Sequence, residues 1–300
     1  MGAVTTSTPP AATADTGAVV GRSASIETLR WPGLDATGAL EAVITTRHGG
    51  VSEGPWASAN LGLHVGDHPD KVIENRHRAA AAVGLPLDAL VFCHQSHGTT
   101  VAAVTADDAG RGTRTESDAL ADVDAIVTTE SSVGLVIMVA DCVPMVLVDP
   151  QARVLAAVHA GWRGTVGGIA QVAIGDMVRH GADPSRIVVG IGPAVHPDEY
   201  QVGEEVAAGI VSLLGADPTS PAGAPILRTD QPDADSQRRW RCDLAGANAS
   251  LLVACGINPE NIHTTGRFSG DGDFFSDRQE RPCGRFAVMA HLLADQDGVD

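Results

Sequence analysis

Three short segments of this chain each end on a soft or borderline metal ligand beside a glycine or an aspartate. They are Gln95-Ser96-His97-Gly98, Ala140-Asp141-Cys142-Val143-Pro144 and His159-Ala160-Gly161-Trp162-Arg163-Gly164. Together they offer two imidazoles and one thiolate. Such a set suits a catalytic Zn²⁺ whose fourth position stays open to water or substrate, whereas a closed structural site takes four protein ligands. A thiolate binds zinc strongly and is deprotonated by it. Each residue taken singly also has a plainer reading: Cys142 as a buried core thiol and His97 as a turn residue beside Gly98. Spacing alone does not establish that the three meet. Asp141, next to Cys142, is a candidate for orienting a ligand or relaying a proton, as carboxylates behind metal ligands commonly do.

A second group of candidates concerns anions. Thr45-Thr46-Arg47-His48-Gly49-Gly50-Val51-Ser52 places an arginine at a strand end beside two glycines. A guanidinium fork there can take phosphate bidentately while glycines let backbone N–H groups approach. An arginine salt-bridged near a hairpin fits the same pattern. Asn60-Leu61-Gly62-Leu63-His64-Val65-Gly66-Asp67 is a polar, glycine-spaced loop able to line a pocket, with Asn60 and His64 as its candidate substrate contacts. His48, His64, His68 and His77 crowd this region and offer an alternative ligand set. Gly190-Ile191-Gly192-Pro193 is excluded as a dinucleotide fingerprint by its proline, and neither a P-loop nor a Gly-x-Ser-x-Gly elbow occurs.

The elements that must position these residues follow from periodicity. Residues 40–46 read as a strand entering a glycine turn. Residues 70–83 have helical spacing between Pro69 and Gly84. Strand pieces at 89–94 and 100–104 flank the His97 loop, and 107–118 reads as a surface loop. Four β-branched, nearly all-apolar runs follow at 125–129, 133–140, 145–149 and 154–159. Such runs mark strands buried on both faces, so Cys142 and His159 sit at strand ends, where rigid backbone aims ligands. Helices are expected at 164–180, 199–214, 244–255 and 285–293, a strand at 186–191, and a long mobile loop at 217–239. Strands and helices mixed without a regular βαβ rhythm predict an α+β architecture.

Bulk properties narrow the function. The chain has 300 residues, enough for a full hydrophobic core, and 44% of them are hydrophobic. Only 3% are aromatic, so Ala, Val, Leu and Ile must build that core. The net charge is −17 and Lys71 is the only lysine. No cationic run exists to displace counterions from a duplex, which disfavours nucleic-acid binding, although an arginine pocket can still hold one phosphate. Five cysteines without regular spacing are not a disulfide framework; free thiols in a reducing cytoplasm are expected. Residues 1–22 read as a disordered tail rather than a signal peptide, with 23–295 as one catalytic domain. Met1-Gly2-Ala3-Val4-Thr5-Thr6 matches a myristoylation pattern loosely. The longest apolar run, 133–148, is broken by Asp141 and Pro144 and falls short of the roughly 20 residues a membrane span needs.

These motifs, in this order, resemble the YfiH, or laccase-domain, family. The resemblance rests on Arg47-His48-Gly49-Gly50-Val51-Ser52, Asn60-Leu61-Gly62 with His64-Val65-Gly66-Asp67, Gln95 with His97-Gly98, Ala140-Asp141-Cys142 with Pro144, and His159-Ala160-Gly161-Trp162-Arg163-Gly164. Ile191-Gly192-Pro193, Tyr200 with Val202-Gly203, Asp243-Leu244 with Asn248, and Phe274-Phe275-Ser276 with Gly284-Arg285 extend it. The resemblance runs from about residue 44 to 292. It implies a YfiH-like single domain, a mixed β-sandwich flanked by helices, with a metal triad at His97, Cys142 and His159. Members were first labelled multicopper polyphenol oxidases. The family is now associated with phosphorolysis of adenosine, inosine, guanosine and methylthioadenosine and with deamination of adenosine, and also carries the label peptidoglycan editing factor. Two positions depart from its pattern: Ala194 where a cysteine is frequent, and Asp277 where a tyrosine is usual.

The first expectation is therefore a zinc-dependent purine nucleoside phosphorylase with adenosine deaminase activity, acting on small-molecule nucleoside and phosphate with no obligate protein partner. Arg47 would orient phosphate against ribose C1′. The second is a cysteine-type hydrolase, with Cys142 as nucleophile and His159 as base. The third, a copper phenol oxidase, is weakened by the lack of any His-x-His pair among 11 histidines. A non-enzymatic binding module completes the set.

Overall fold

The computed structural model of the chain describes residues 21–22 and 26–294. The tail reading of residues 1–20 and the myristoylation-like start lie outside the described residues. In chain order the strands are β1 (Gly21–Arg22), β2 (Glu27–Leu29), β3 (Leu40–Thr45), β4 (Leu90–Phe92), β5 (Val101–Ala103), β6 (Ala125–Thr128), β7 (Gly134–Val139), β8 (Val143–Asp149), β9 (Val154–Ala160), β10 (Val188–Ile191), β11 (Gln201–Val202), β12 (Leu227–Asp230), β13 (Arg239–Cys242), β14 (Ile262–Thr264) and β15 (Phe286–Leu292). The helices are α1 (Pro32–Asp35), α2 (Pro69–Ala82), α3 (Trp162–Gly167), α4 (Ile169–Arg179), α5 (Glu204–Leu214) and α6 (Leu244–Ala254).

Two six-stranded sheets stack, in the orders β1-β2-β3-β15-β7-β4 and β14-β10-β8-β9-β6-β5. Strand side chains alternate between faces, and that alternation sorts the core. Leu135, Ile137 and Val139 of β7, with Phe286, Val288 and Ala290 of β15, meet Val146 and Val148 of β8 and Leu155 and Ala157 of β9 between the sheets. The intervening residues point outward. Val136, Met138, Ala287 and Met289 pack under Ala79 and Ala80 of α2. Met145, Leu147, Ala156 and Val158 pack under Ile169, Ala173 and Met177 of α4 and Leu252 of α6. The result is a four-layer stack of helix, sheet, sheet and helix. It accounts for the unbroken apolar runs of β7, β8 and β9, whose two faces are both covered.

Five expectations are corrected. Residues 286–292 form a central strand, paired with both β3 and β7, rather than a closing helix. Phe-Ala-Val-Met-Ala-His-Leu has fair helix propensity, but alternation between two buried faces and two ladders outweighs it. The helix expected at 164–180 is two helices, broken at Gly168 (φ +82°), a left-handed position open to glycine. The region expected to be a loop contains β12, which with β13 and β11 makes a small third sheet. Accordingly α5 starts at Glu204, after β11, and not at residue 199. Gly21–Arg22 pair with Thr28 and Glu27 rather than belonging to the tail. Among the described residues no helix is long and apolar enough to cross a membrane.

Candidate active site

The pairing of the second sheet brings the three ligand loops to one end. Antiparallel register sets Val143, the residue after Cys142, opposite Ala160, and Pro144 opposite His159. It also sets Ala125 opposite Val158. Strand β5, which follows the His97 loop, starts beside Ala125. The donor atoms of His97, Cys142 and His159 consequently lie within 4.8 Å of one another. The two imidazole rings are 4.8 Å apart, edge to face at 76°. His159 is buried, Cys142 half-buried and His97 exposed.

A residue missed in the sequence holds this trio in place. Asp124, just before β6, is fully buried. One oxygen accepts from His159 Nδ1 (2.8 Å) and from the His97 amide (2.9 Å). The other accepts from the Gly98 amide (2.6 Å) and Ser96 Oγ (3.2 Å). The main chain repeats the clamp, because the His159 amide donates to the Asp124 carbonyl at 2.8 Å. With Nδ1 engaged by a carboxylate, His159 presents Nε2 toward the open side, the arrangement that fixes a metal-binding tautomer. The clamp also holds His97 at φ +63°, a left-handed conformation that side chains adopt only at a penalty of about 1–2 kcal/mol. The sequence signal was an aspartate directly preceding a wholly apolar run, legible only once β6 is known to lie beside β9.

Gly161 supplies the space. A Cβ there would stand 2.9 Å from His97 Cδ2 and 3.1 Å from Cys142 Sγ. The donor set, the oriented imidazole and this cleared volume fit a divalent metal with one position left open. Electrostatics agree. Burial opposes ionisation of the Cys142 thiol, but the neighbouring His159 and His97 imidazoles outweigh it and hold the thiol well below its ordinary range. Burial likewise opposes charging of His159, yet the Cys142 sulfur and Asp124 raise it. Asp124 is pushed up by burial and pulled lower overall by its bonds to His159 and the two amides.

The trio opens on a cavity of about 470 Å³. Its wall includes Phe92, Met138, Val139 and Tyr200 as apolar surface, and Arg76, Arg278, Arg281 and Arg285 as cations. The last three come from one arginine-rich loop, 276–285, whose Ser276, Asp277 and Gly284-Arg285 are motif positions in the sequence but whose arginines were not among the candidate site residues. Arg76 comes from α2; it lies over the Phe92 ring at 4.0 Å and donates to the Leu61 carbonyl at 2.8 Å.

The other expected site residues are placed as follows. His64 lines the cavity, 3.3 Å from Glu116; burial and then the charge of Arg285 lower its pKa. Asp141 also lines it, but its carboxylate is spoken for: it accepts from Ser269 Oγ (2.5 Å), Ser276 Oγ (2.6 Å) and the Arg278 amide (2.6 Å). These bonds hold Asp141 at φ +90° and tie the Cys142 turn to the arginine loop. Asn60 is fully buried and saturated, donating to Gly62 and Asp67 and accepting from the Gly62 and Arg285 amides. No donor or acceptor is left for a substrate, so Asn60 supports the Arg285 backbone instead. Arg47 is not in the cavity wall. Its Nε donates to the Ala57 carbonyl at 3.0 Å, its guanidinium lies 4.6 Å over Phe275, and Glu280 is 3.6 Å away. It braces the loop at 47–59, because the strand end that carries it faces that loop.

The positions match known proteins. A family model described as multi-copper polyphenol oxidoreductase laccase matches residues 41–293. A Corynebacterium glutamicum protein named purine nucleoside phosphorylase is 43% identical over 254 residues, covering 84% of this chain and 94% of its own. YlmD of Geobacillus stearothermophilus, also named purine nucleoside phosphorylase, is 40% identical over 247 residues, 80% of this chain and 85% of its own. The crystal structure of YlmD superposes with a TM-score of 0.82 at 34% identity, covering 93% of this chain and all of that one. The crystal structure of Bacillus licheniformis YfiH does so at 0.80 and 30%, covering 90% and 97%. By its match along most of its length and by the shared four-layer architecture, the chain belongs to the YfiH-type, laccase-like family.

Proposed function

We propose that the cavity is the active site of a zinc-holding purine nucleoside phosphorylase that also deaminates adenosine. The observation that carries this reading is the His97-Cys142-His159 trio opening on a nucleoside-sized, arginine-lined cavity. The names of the relatives support it. His97, Cys142 and His159 would hold the metal. Zinc bound there would supply a Lewis acid and lower the pKa of a bound water to about 7. The protein does the rest. Asp124 keeps His159 Nδ1 protonated and its ring fixed. Phe92, Tyr200 and Met138 give the purine an apolar wall that excludes water. The arginines balance the charge of phosphate, one oxygen of which bonds to ribose C1′ as the bond from C1′ to the purine nitrogen breaks. The bonding pair leaves with the base, which takes up a proton.

The test is to incubate zinc-loaded protein with adenosine, inosine, guanosine or methylthioadenosine, with and without phosphate. Free base and ribose 1-phosphate (methylthioribose 1-phosphate from methylthioadenosine) are expected only with phosphate, and inosine from adenosine without it. No product from any nucleoside overturns the proposal. Copper in untreated protein, with oxidation of phenols, would point instead to the chemistry in the family's description.

A second reading has its own observation. Cys142, His159 and Asp124 are strung in the order of a cysteine nucleophile, its base and the base's orienting carboxylate. A cysteine-type hydrolase acting on an amide-like bond, as a peptidoglycan editing factor would, fits that line. Tight stoichiometric zinc, if found, would oppose it, since a coordinated thiolate is a poor free nucleophile.

A further inference from the structure

We propose that the arginine loop forms a phosphate subsite whose anion position is occupied, in the substrate-free protein, by the chain's own Asp277 carboxylate. The Asp277 carboxylate lies between two guanidinium groups. Its Oδ2 is 2.5 Å from Arg281 Nη2 and its Oδ1 is 3.5 Å from Arg285 Nη2. All three side chains line the cavity that holds the metal trio. Arg285 points its Nη1 at the Cys283 and Gly284 carbonyls, and Arg278 donates to the Gln201 carbonyl at 2.7 Å. Neutral carbonyls aim a guanidinium without cancelling its charge.

The cavity's other acids are turned elsewhere, Asp141 to its two serines and Glu116 to His64. Arg281 and Arg285 therefore face the single Asp277 carboxylate while Arg278 lies over the Tyr200 ring, inside a chain whose net charge is −17. The protein as a whole repels an anion while this wall attracts one. Guanidinium forks match phosphate as they match carboxylate, and a phosphate dianion carries twice the charge and more acceptor oxygens. The 3.5 Å contact to Arg285 is long for a hydrogen bond, so Arg285 Nη2 meets Asp277 mainly through charge and is open to a better ligand. Asp277 thus acts as a built-in competitor that sets how tightly phosphate is taken. The identification of the anion as a co-substrate rests on the proposed phosphorolysis; the subsite itself does not.

Phosphoryl chemistry can reach this wall as free phosphate or on a nucleoside 5′-monophosphate, and we assign free phosphate. Isothermal titration of inorganic phosphate into the full-length protein tests it. Asp277→Asn is expected to tighten binding about tenfold, the size of one weak charge-assisted bond. Arg281→Gln, a change at a side chain that is 76% exposed, is expected to remove that gain in the Asp277→Asn background. Unchanged or weaker binding by Asp277→Asn overturns the proposal. Should Asp277→Asn not melt cooperatively, Arg281→Gln alone decides: weaker phosphate binding supports the subsite and unchanged binding overturns it. Titration of AMP against adenosine is the second arm; a gain confined to AMP overturns the free-phosphate assignment. Phosphorolysis that proceeds with phosphate affinity indifferent to Asp277 overturns the subsite and leaves the proposed function standing. Phosphate binding that follows Asp277 and Arg281 without any phosphorolysis does the reverse.

Discussion

Replacing Gly161 by alanine is expected to weaken metal binding while sparing the fold. Gly161 has φ −71° and ψ 173°, ordinary extended backbone that alanine adopts without strain. The whole effect must then come from the added methyl. It would lie 2.9 Å from His97 Cδ2 and 3.1 Å from Cys142 Sγ. Carbon atoms settle at about 3.5 Å or more, so His97 must retreat by about 0.6 Å. Its backbone cannot follow freely, because Asp124 grips the His97 and Gly98 amides at 2.9 and 2.6 Å. Metal sites tolerate distance errors of only about 0.2 Å. The imidazole therefore swings out of position, and a loss of about 10–100-fold in zinc affinity is expected, the range seen when a ligand loses its orienting partner. Competition with a chromophoric chelator reads the affinity. Thermal melting of the metal-free protein reads the fold, where overpacking of this kind typically costs about 1–3 kcal/mol. Wild-type zinc affinity in Gly161→Ala would refute the reasoning, and so would an equal loss of stability in metal-free and metal-loaded protein.

Asp124→Asn keeps the shape but gives His159 Nδ1 an amide donor. The imidazole then carries its proton on the wrong nitrogen, and zinc affinity is expected to fall about 10–100-fold; a cobalt-substituted sample that keeps its thiolate-to-metal absorption band would contradict this. Cys142 in metal-free protein is expected to react with iodoacetamide near neutral pH, because its neighbours favour the thiolate, and to be protected by one equivalent of zinc; mass spectrometry showing equal labelling would exclude coordination by sulfur. Asn60→Ala strands the Gly62 and Arg285 amides in a buried site. It should lower stability by about 1–3 kcal/mol per amide, read as a shift in the urea midpoint. Asp149 is raised by burial but lowered more by Arg186 and by the Asp183, Gln151 and Ala152 amides. Its folded pKa is below the unfolded value of about 3.9, so its stabilisation is complete above that pH and disappears as pH falls through the folded value. Asp149→Asn should be less stable than wild type at neutral pH and show a flatter loss of stability below pH ~4; parallel wild-type and variant curves would count against it.

Much of the site was legible in the sequence because its ligands stand at strand ends. The apolar run at 154–159 reads as a doubly buried strand, so its terminal His159 must emerge at an edge of the core, and the observed strand spans Val154–Ala160. The same holds for Cys142 before β8. The patterns of α2, of β6 to β9 and of α6 are equally local, and the structure has the expected element at each. The closing strand β15 was not, because Ala, Met and Leu satisfy a helix locally, and only two neighbouring ladders from residues far away in the chain make them a strand. Long-range pairing also decided the site's composition. It put Asp124 against His159, turned Asp141 toward Ser269 and Ser276, and placed the arginines of 276–285 over the cavity while leaving Arg47 to brace a loop. Residue type and spacing named the metal donors, since a thiolate and two imidazoles carry their chemistry with them. The partners of a charged side chain depend on which strands lie beside it, and register between distant strands is a property of the folded sheet alone.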